Sequence, residues 1–416
     1  MTGAFPLING LRPNPDWGKL PLFDRKGWKR VHFGDGVENL NETERNPEGA
    51  GIERFIGLEH LEPGSLHIRT WGNVVDGTTF TRRCRPGQVL FGKRRAYQRK
   101  VAVAEFDAVV SGDIYVLAPK NERLLPGLLP FLCTSERFFQ HAVGTSAGSL
   151  SPRTNWNSLA GFEFALPPLD QQRSMVEIFY AVDEATQAVK TLSEQIQMTI
   201  ETTARAKVFP FGYSPTNRSI NPEYEGSYTH MPAEELYDVF SGNGEPRLDD
   251  IGDALFLKVN DFNLNPDETA IDNGASRFSI RDNPDIRVLP VGTVVFPKRG
   301  ASIFLNKVGV VRRPVALDPN LMGLVPKTEN VSSNYLYWLI KLTQIGRIAD
   351  TTSLPQINHK HLIPLIYPVP ARDRQDDFIE QIERLCQARK AAQGEVDALG
   401  CLAQQLTNTV VGRIEF

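Results

Sequence analysis

The chain has 416 residues, 41% of them hydrophobic and 23% charged, and a formal net charge of −3. That length and composition suit a soluble globular protein of two or three domains. The net charge gives no hint of a nucleic-acid partner, because a global sum hides how charge is distributed along the chain.

The N-terminus, MTGAFPLING, lacks the charged-then-apolar order of a signal peptide. The most apolar stretch, Leu124 to Leu132, is short and broken by Pro126 and Pro130. A cytoplasmic protein with no membrane association is expected. Four cysteines (Cys84, Cys133, Cys386, Cys401) show no CxxC or Cys/His spacing, which argues against a disulfide framework or a structural zinc.

In chain order, the first marks are Asn14-Pro15-Asp16-Trp17 and Phe33 within FGDG. Both have counterparts 207 residues later, in Asn221-Pro222-Glu223-Tyr224 and at Phe240 within FSGNG. The second pair mimics the tetrapeptide and glycine turn of an adenine methyltransferase. A catalytic pair needs no second copy, so the marks read as an internal duplication. Asp16 and Asp24-x-Lys26 likewise mimic a nuclease metal site, at a spacing too short for one.

Thr81 to Lys100 carries Arg82, Arg83, Arg85, Lys93, Arg94, Arg95, Arg99 and Lys100 with no acidic residue. Within it, Arg85 to Arg94 lies over Pro290 to Arg299 at an offset of 205, with Gly87 over Gly292 and Lys93-Arg94 over Lys298-Arg299. Short apolar runs such as GQVLFGK, DAVVSGDIYVLAP, GTVVFPK and VGVVRRPVAL, separated by Gly, Pro and Asp, predict a mainly β globule in each half. Ser149-Leu150 then lies over Ser353-Leu354. Asn155, Leu159, Phe164, Pro167, Asp170 and Gln172 fall on Asn358, Leu362, Tyr367, Pro370, Asp373 and Gln375, all at an offset of 203.

After each globule the period changes. From Met175, apolar or small residues recur at Ile178, Val182, Ala185, Val189, Leu192, Ile196, Thr199, Thr203 and Ala206, which predicts a long amphipathic helix with a coiled-coil seam. Asp170 is placed to cap its first free amides. The second copy gives Phe378, Ile382, Leu385, Arg389, Ala392, Val396, Leu399, Ala403, Leu406 and Val410. The expected fold is α+β: two mainly β globules at residues 1–165 and 209–367, alternating with spacer helices at 166–208 and 368–416. The helices are expected to pack as an antiparallel coiled coil about a pseudo-twofold axis.

Between Arg287 and Arg313 the second half repeats the basic run with Arg287, Lys298, Arg299, Lys307, Arg312 and Arg313, again without an acidic residue. Two such runs at matching places suit two duplex half-sites, with phosphate contacts positioning each head and Arg, Lys, Asn or Gln reading bases. Candidate DNA contacts are Lys93, Arg94, Lys298 and Arg299, extended by Arg82, Arg95, Arg99, Lys307, Arg312 and Arg313. Ser149 and Ser353 either bond phosphate or cap a short helix.

A globule ending in Leu166-Pro167-Pro168-Leu169-Asp170-Gln171-Gln172-Arg173 and followed by a long helix, repeated as Val369-Pro370-Ala371-Arg372-Asp373-Arg374-Gln375, resembles the specificity subunit of type I restriction-modification systems. Ser149-Leu150 and Ser353-Leu354-Pro355-Gln356-Ile357-Asn358 resemble the loop which that family places before the turn. The resemblance implies a non-catalytic subunit whose two target recognition domains each read one part of a split, asymmetric DNA sequence. It also implies two modification subunits, docked on exposed helix faces carrying residues such as Glu177, Glu184, Glu380 and Glu383, and restriction/translocase subunits. S-adenosylmethionine, ATP and Mg²⁺ would belong to those partners, with no cofactor or metal held by this chain. The competing classes are a stand-alone enzyme that modifies or cleaves DNA and a coiled-coil scaffold that binds none.

Overall fold

The computed structural model describes residues 21–210, 213–215, 228–265, 269–327 and 329–411. Two helices of 40 residues, Leu169–Val208 and Arg372–Val411, dominate the chain. Two compact units divide it: residues 1–193 with 391–416, and residues 194–390. Each unit holds one head and a part of both helices. The start of the first helix shares a unit with the end of the second, and the end of the first with the start of the second, which is the antiparallel order.

In the first unit, a four-stranded sheet is built from Val37–Leu40, Ile114–Pro119, Val89–Gly92 and Val101–Val103, in that spatial order. Its central strand reads Val-Leu-Phe because both of its faces are covered. Val89 and Phe91 join the core that holds Met175 and Phe179 of the helix, whereas Leu90 joins a separate cluster with Ile56 and Val116. A strand buried on both sides shows a continuous apolar run in place of alternation. The second unit repeats the order with Tyr237–Ser241, Leu321–Pro326, Val294–Pro297 and Gly309–Val311. Val294 and Phe296 again face the core shared with the helices, and Val295 faces away from it. Gly87 and Gly292, matched in sequence, both adopt positive φ (85° and 89°) in the turn before this strand.

A second sheet in each head contains one parallel pair, Phe55 beside Val109 in the first and Leu255 beside Val315 in the second. Each globule closes on a two-stranded ribbon that leads into its helix: Lys29–His32 against Glu163–Leu166, and Tyr228–Pro232 against Ile366–Pro370.

The repeat mark at Phe33 requires correction. Phe33 opens a single helical turn, Phe33–Gly36, whose counterpart is Ala233–Leu236. Phe240 lies in the next strand, opposite Gly323, so the register near the N-terminus is set by these turns and not by the shared Phe-x-Gly. The Asn14–Trp17 and Asn221–Tyr224 marks lie outside the described residues. Asp24 forms a local turn in which its carboxylate accepts the Lys26 N–H at 3.1 Å.

The predicted seam holds in the second helix and is mis-phased in the first. Phe378, Ile382, Ala392, Leu406 and Val410 are buried, with Leu385, Arg389, Val396, Leu399 and Ala403 half-buried between them. In the first helix Val182, Val189 and Ile196 face inward as expected, but Ile178 and Leu192 are exposed (37% and 50%) and Phe179 and Ile200 are buried in their place. Alternate steps of the seam are therefore one residue later than the apolar pattern suggests. Thr186 occupies one of the shifted positions, and its hydroxyl donates to the Val182 carbonyl at 2.7 Å, so the polar group is satisfied on the helix itself. In the second unit, Arg389 Nη1 donates to Gln197 Oε1 at 2.5 Å, a polar contact of the kind that fixes register in a helix pair.

The two Pro-x-x-x-x-Gln turns share one anchor. Gln172 and Gln375 are fully buried. Gln172 accepts the Leu125 N–H at 2.9 Å and donates to the Arg123 and Pro167 carbonyls, each at 2.8 Å. Gln375 accepts the Ser332 N–H at 3.1 Å and donates to the Asn330 and Pro370 carbonyls at 2.9 and 3.1 Å. One amide thus satisfies three otherwise orphaned backbone groups where helix, ribbon and head loop meet. Asp170 lies in the first turn, favourable for the helix dipole, but the residue fixing the helix start to the head is Gln172.

Candidate nucleic-acid interface

The central strand of each head ends at a cationic pair, Lys93-Arg94 or Lys298-Arg299, and a returning loop closes over that end in the same way twice. The Lys93 N–H donates to the Asp113 carbonyl, Thr154 donates to the Lys93 carbonyl, and Arg94 forms an isolated bridge with Arg153. In the second head Lys298 donates to Asn320, Ile357 donates to the Lys298 carbonyl, and Arg299 bridges Gln356. The loops carrying Ser149 and Ser353 are thus brought beside the cations, although both serines are exposed and neither caps a helix. Ser151 makes the contact instead, accepting from Arg94 Nη2 at 2.9 Å.

A tight turn follows each pair. In the first head it is bracketed by Arg95 and Arg99, both left-handed (φ 53° and 56°); in the second by Gly300 and Asn306 (φ 75° and 49°). Arginine in that region is costly, by roughly 1–2 kcal/mol, so the first head holds two cationic side chains on strained backbone where the second uses residues suited to it. Tyr97 and Phe304, about half exposed, project from these turns.

The sequence holds two acid-free basic runs, but the fold brings acids to the first of them. Asp113 pairs with Arg94 at 3.2 Å and Arg153 at 2.7 Å, Glu136 with Arg99 at 2.6 Å, and Asp107 and Glu42 with Arg83 and Arg85. Burial alone would push the Asp113 carboxyl up, but hydrogen bonds from Arg153 and Arg94 outweigh it and hold the pKa below the usual carboxylate range. Arg82 donates to the Ile114 carbonyl at 2.9 Å. Among the described residues Lys93 forms no ion pair: its ammonium sits 4.8 Å from the centre of the Tyr115 ring, and burial, reinforced by Arg82 and only partly opposed by Asp113, lowers its pKa.

The second head leaves more of its charge open. Lys298 is 8% exposed, and among the described residues its ammonium has no hydrogen-bond or ion-pair partner; burial and then Arg299 lower its pKa. Arg299 and Arg313 are exposed and likewise unpaired among the described residues. Lys307 donates to Asn263 Oδ1 at 2.6 Å, and Arg312 is 3.4 Å from Asn334 Oδ1. Partial burial of an ammonium without a counter-charge is costly, and a phosphate oxygen would offset that cost.

Residues 77–198, which include the first cationic edge and the start of the first long helix, match the model of the type I restriction modification DNA specificity domain. This part of the chain is similar to the DNA specificity domain of type I restriction-modification systems. Over 146 residues it is 26% identical to the type I restriction enzyme EcoDI specificity subunit of Escherichia coli; the match covers 33% of this chain and 31% of that protein, so it spans about a third of the curated relative. A solved chain described under "Structural basis underlying complex assembly and conformational transition of the type I R-M system" superposes with a TM-score of 0.58 at 17% identity, over 93% of this chain and 98% of that one. The type I restriction-modification S subunit from M. genitalium superposes with a TM-score of 0.53 at 12% identity, over 94% and 97%. At these identities the structural likeness establishes the fold.

The sequence alone does not single out Arg153, Asp113 and Ser151. The offset of 203 that aligns Asn155 with Asn358 also aligns Arg153 with Gln356, so a signal for that position was present. The partner acid was not legible, because Asp113 is 40 residues from Arg153 and reaches it only through the sheet. Among the described residues no helix is long and apolar enough to cross a membrane.

Proposed function

We propose that this chain is the DNA-reading subunit of a type I restriction-modification assembly, in which each head reads one part of a split, asymmetric duplex sequence. On this reading residues 1–165 and 209–367 are the target recognition domains, and the helical segments 166–208 and 368–416 are their spacers. The chain itself is non-catalytic. Two modification subunits supply S-adenosylmethionine-dependent methylation and restriction/translocase subunits supply ATP- and Mg²⁺-dependent chemistry, all in the cytoplasm.

The observation that carries this reading is the duplicated cationic strand end, Lys93-Arg94 and Lys298-Arg299, closed by the same backbone contacts in both heads. Core packing does not call for two ammonium groups at equivalent edges that form no ion pair among the described residues; binding of a polyanion in two places does. The test is the affinity of the full-length chain for duplex DNA as a function of salt, for the native protein and for a Lys93→Glu, Lys298→Glu double variant. Affinity is expected to fall, and the slope of log affinity against log salt to flatten by about one for each phosphate that a lysine no longer neutralises. Unchanged affinity and slope would contradict the assignment of these two lysines.

A further inference from the structure

Arg153 is the most completely prepared side chain at either cationic edge. Its Nε donates to Asp113 Oδ1 at 2.7 Å and its Nη2 lies 3.4 Å from Asp113 Oδ2, so one edge of the guanidinium is locked on a carboxylate. Asp113 is fixed in turn by Arg94 Nη1 at 3.2 Å, and Arg94 by Ser151 at 2.9 Å. The backbone at Arg153 is held on two sides, by the pairing of Arg153–Thr154 with Ser146–Ala147 and by the bridge to Arg94. The outer edge of the fork, formed by Nη1 and Nη2, has no further partner among the described residues, and the side chain is 49% exposed.

A guanidinium whose Nε edge is buttressed presents two parallel N–H donors on its outer edge. Guanine offers two acceptors at that spacing in the major groove, O6 and N7; adenine offers one acceptor beside an amino donor, which opposes the second N–H. The buttress also removes most of the rotamer freedom that an unsupported arginine would lose on binding. We propose that Arg153, positioned by Asp113, reads a guanine in the part of the target contacted by the first head. The inference rests on the DNA-reading function proposed above and adds which base one head requires.

The second head cannot do the same. Its equivalents of Arg153 and Asp113 are Gln356 and Asn320, identified by the matching contacts of Arg299 and Lys298. Gln356 Nε2 donates to Asn358 Oδ1 at 2.8 Å, so neither the fork nor the carboxylate is present. The buttressed guanidinium fork therefore belongs to the first head alone.

The test is methyladenine mapping of genomic DNA from cells expressing the full-length chain with a type I modification subunit, repeated with Arg153→Lys and with Asp113→Asn. Arg153→Lys keeps the charge at a half-exposed position and removes only the fork. The native chain is expected to give a two-part motif with a guanine in one part. Arg153→Lys is expected to weaken the preference for that guanine about tenfold or more, Asp113→Asn to weaken it less, and both to leave the other part unchanged. A motif that neither variant alters, or a uniform loss of methylation with every base preference retained, would overturn the proposal; the second pattern is that of a phosphate anchor. A native chain that yields no motif at all would instead remove the DNA-reading function on which the proposal stands.

Discussion

The two halves of the molecule solve the same folding problem with the same devices and differ where they meet solvent. Both heads seat a doubly buried central strand against the long helices, and both fix the helix start with one buried glutamine. At the cationic edges they diverge. The first head surrounds its arginines with Asp113, Glu136, Asp107 and Glu42, while the second leaves Lys298 buried and Arg299 exposed without counter-charges among the described residues. Packing constrains residues whose errors cost several kcal/mol, whereas an edge that meets a ligand is free to change with what it meets. Shared interior and divergent edge are what the proposed function, two readers of different sequences, would require.

The comparison breaks most visibly in the helices. Phe179→Ala should destabilise the first unit by about 4 kcal/mol, the usual cost of emptying a buried aromatic site, while the neighbouring Ile178→Ala should cost about 1 kcal/mol because that side chain, 37% exposed against 3% for Phe179, leaves no enclosed cavity. Urea unfolding of the two variants checks the phase directly; equal costs would restore the seam suggested by the apolar pattern.

Next in size is the glutamine anchor. Gln172→Ala and Gln375→Ala each strand one buried N–H and two carbonyls, and each should cost about 3 kcal/mol. Thermal unfolding of both sharpens the comparison: similar losses show that the anchor is equivalent in the two units, and a loss confined to one shows that it is not.

The smallest effect lies where the first head meets its helix. His67 bridges Glu105 and Asp183 of the first long helix, each at 2.8 Å, and Arg69 donates to Gln187 beside it. Burial lowers the His67 pKa, but the bonds to Glu105 and Asp183 outweigh it and the net shift is upward. Protonated His67 therefore adds stability that is fully present below about pH 6.5, the ordinary histidine value, and is lost as pH rises through the raised folded value. Screening at this partly exposed site limits it to about 0.5 kcal/mol. Urea midpoints measured on either side of that window should converge for native protein and His67→Gln as pH rises; a constant gap would show that the bridge does not titrate.

Much of this was legible in the sequence, for physical reasons that differ by element. The second seam was readable residue by residue, because every inward position from Phe378 to Val410 except Arg389 is apolar or small. The first was not, because Ile178 and Leu192 lie next to the true seam and Thr186 and Ser193 lie in it, so hydrophobicity alone selects the wrong neighbour. Doubly buried strands announced themselves as VLF and VVF. The head helices Leu129–Thr134, Glu136–Gly144 and Ser333–Thr343 did not, since Pro130 and Ser135 break the first two and the apolar run of the third hides its period. The cationic runs were visible, but the acids that partner them come from distant segments, and so the difference between the two edges became apparent only in three dimensions.

The proposed function requires that the two heads read separate parts of one DNA target. Its most direct test is single-molecule methylation mapping in cells carrying this chain with a type I modification subunit, compared with the modification subunit alone and with a chain in which one head is exchanged for that of a relative. Methyladenine is expected at one split asymmetric motif, present only with this chain, with a change confined to one part of the motif when one head is exchanged. A motif that appears without this chain, or one in which both parts change together, would contradict it.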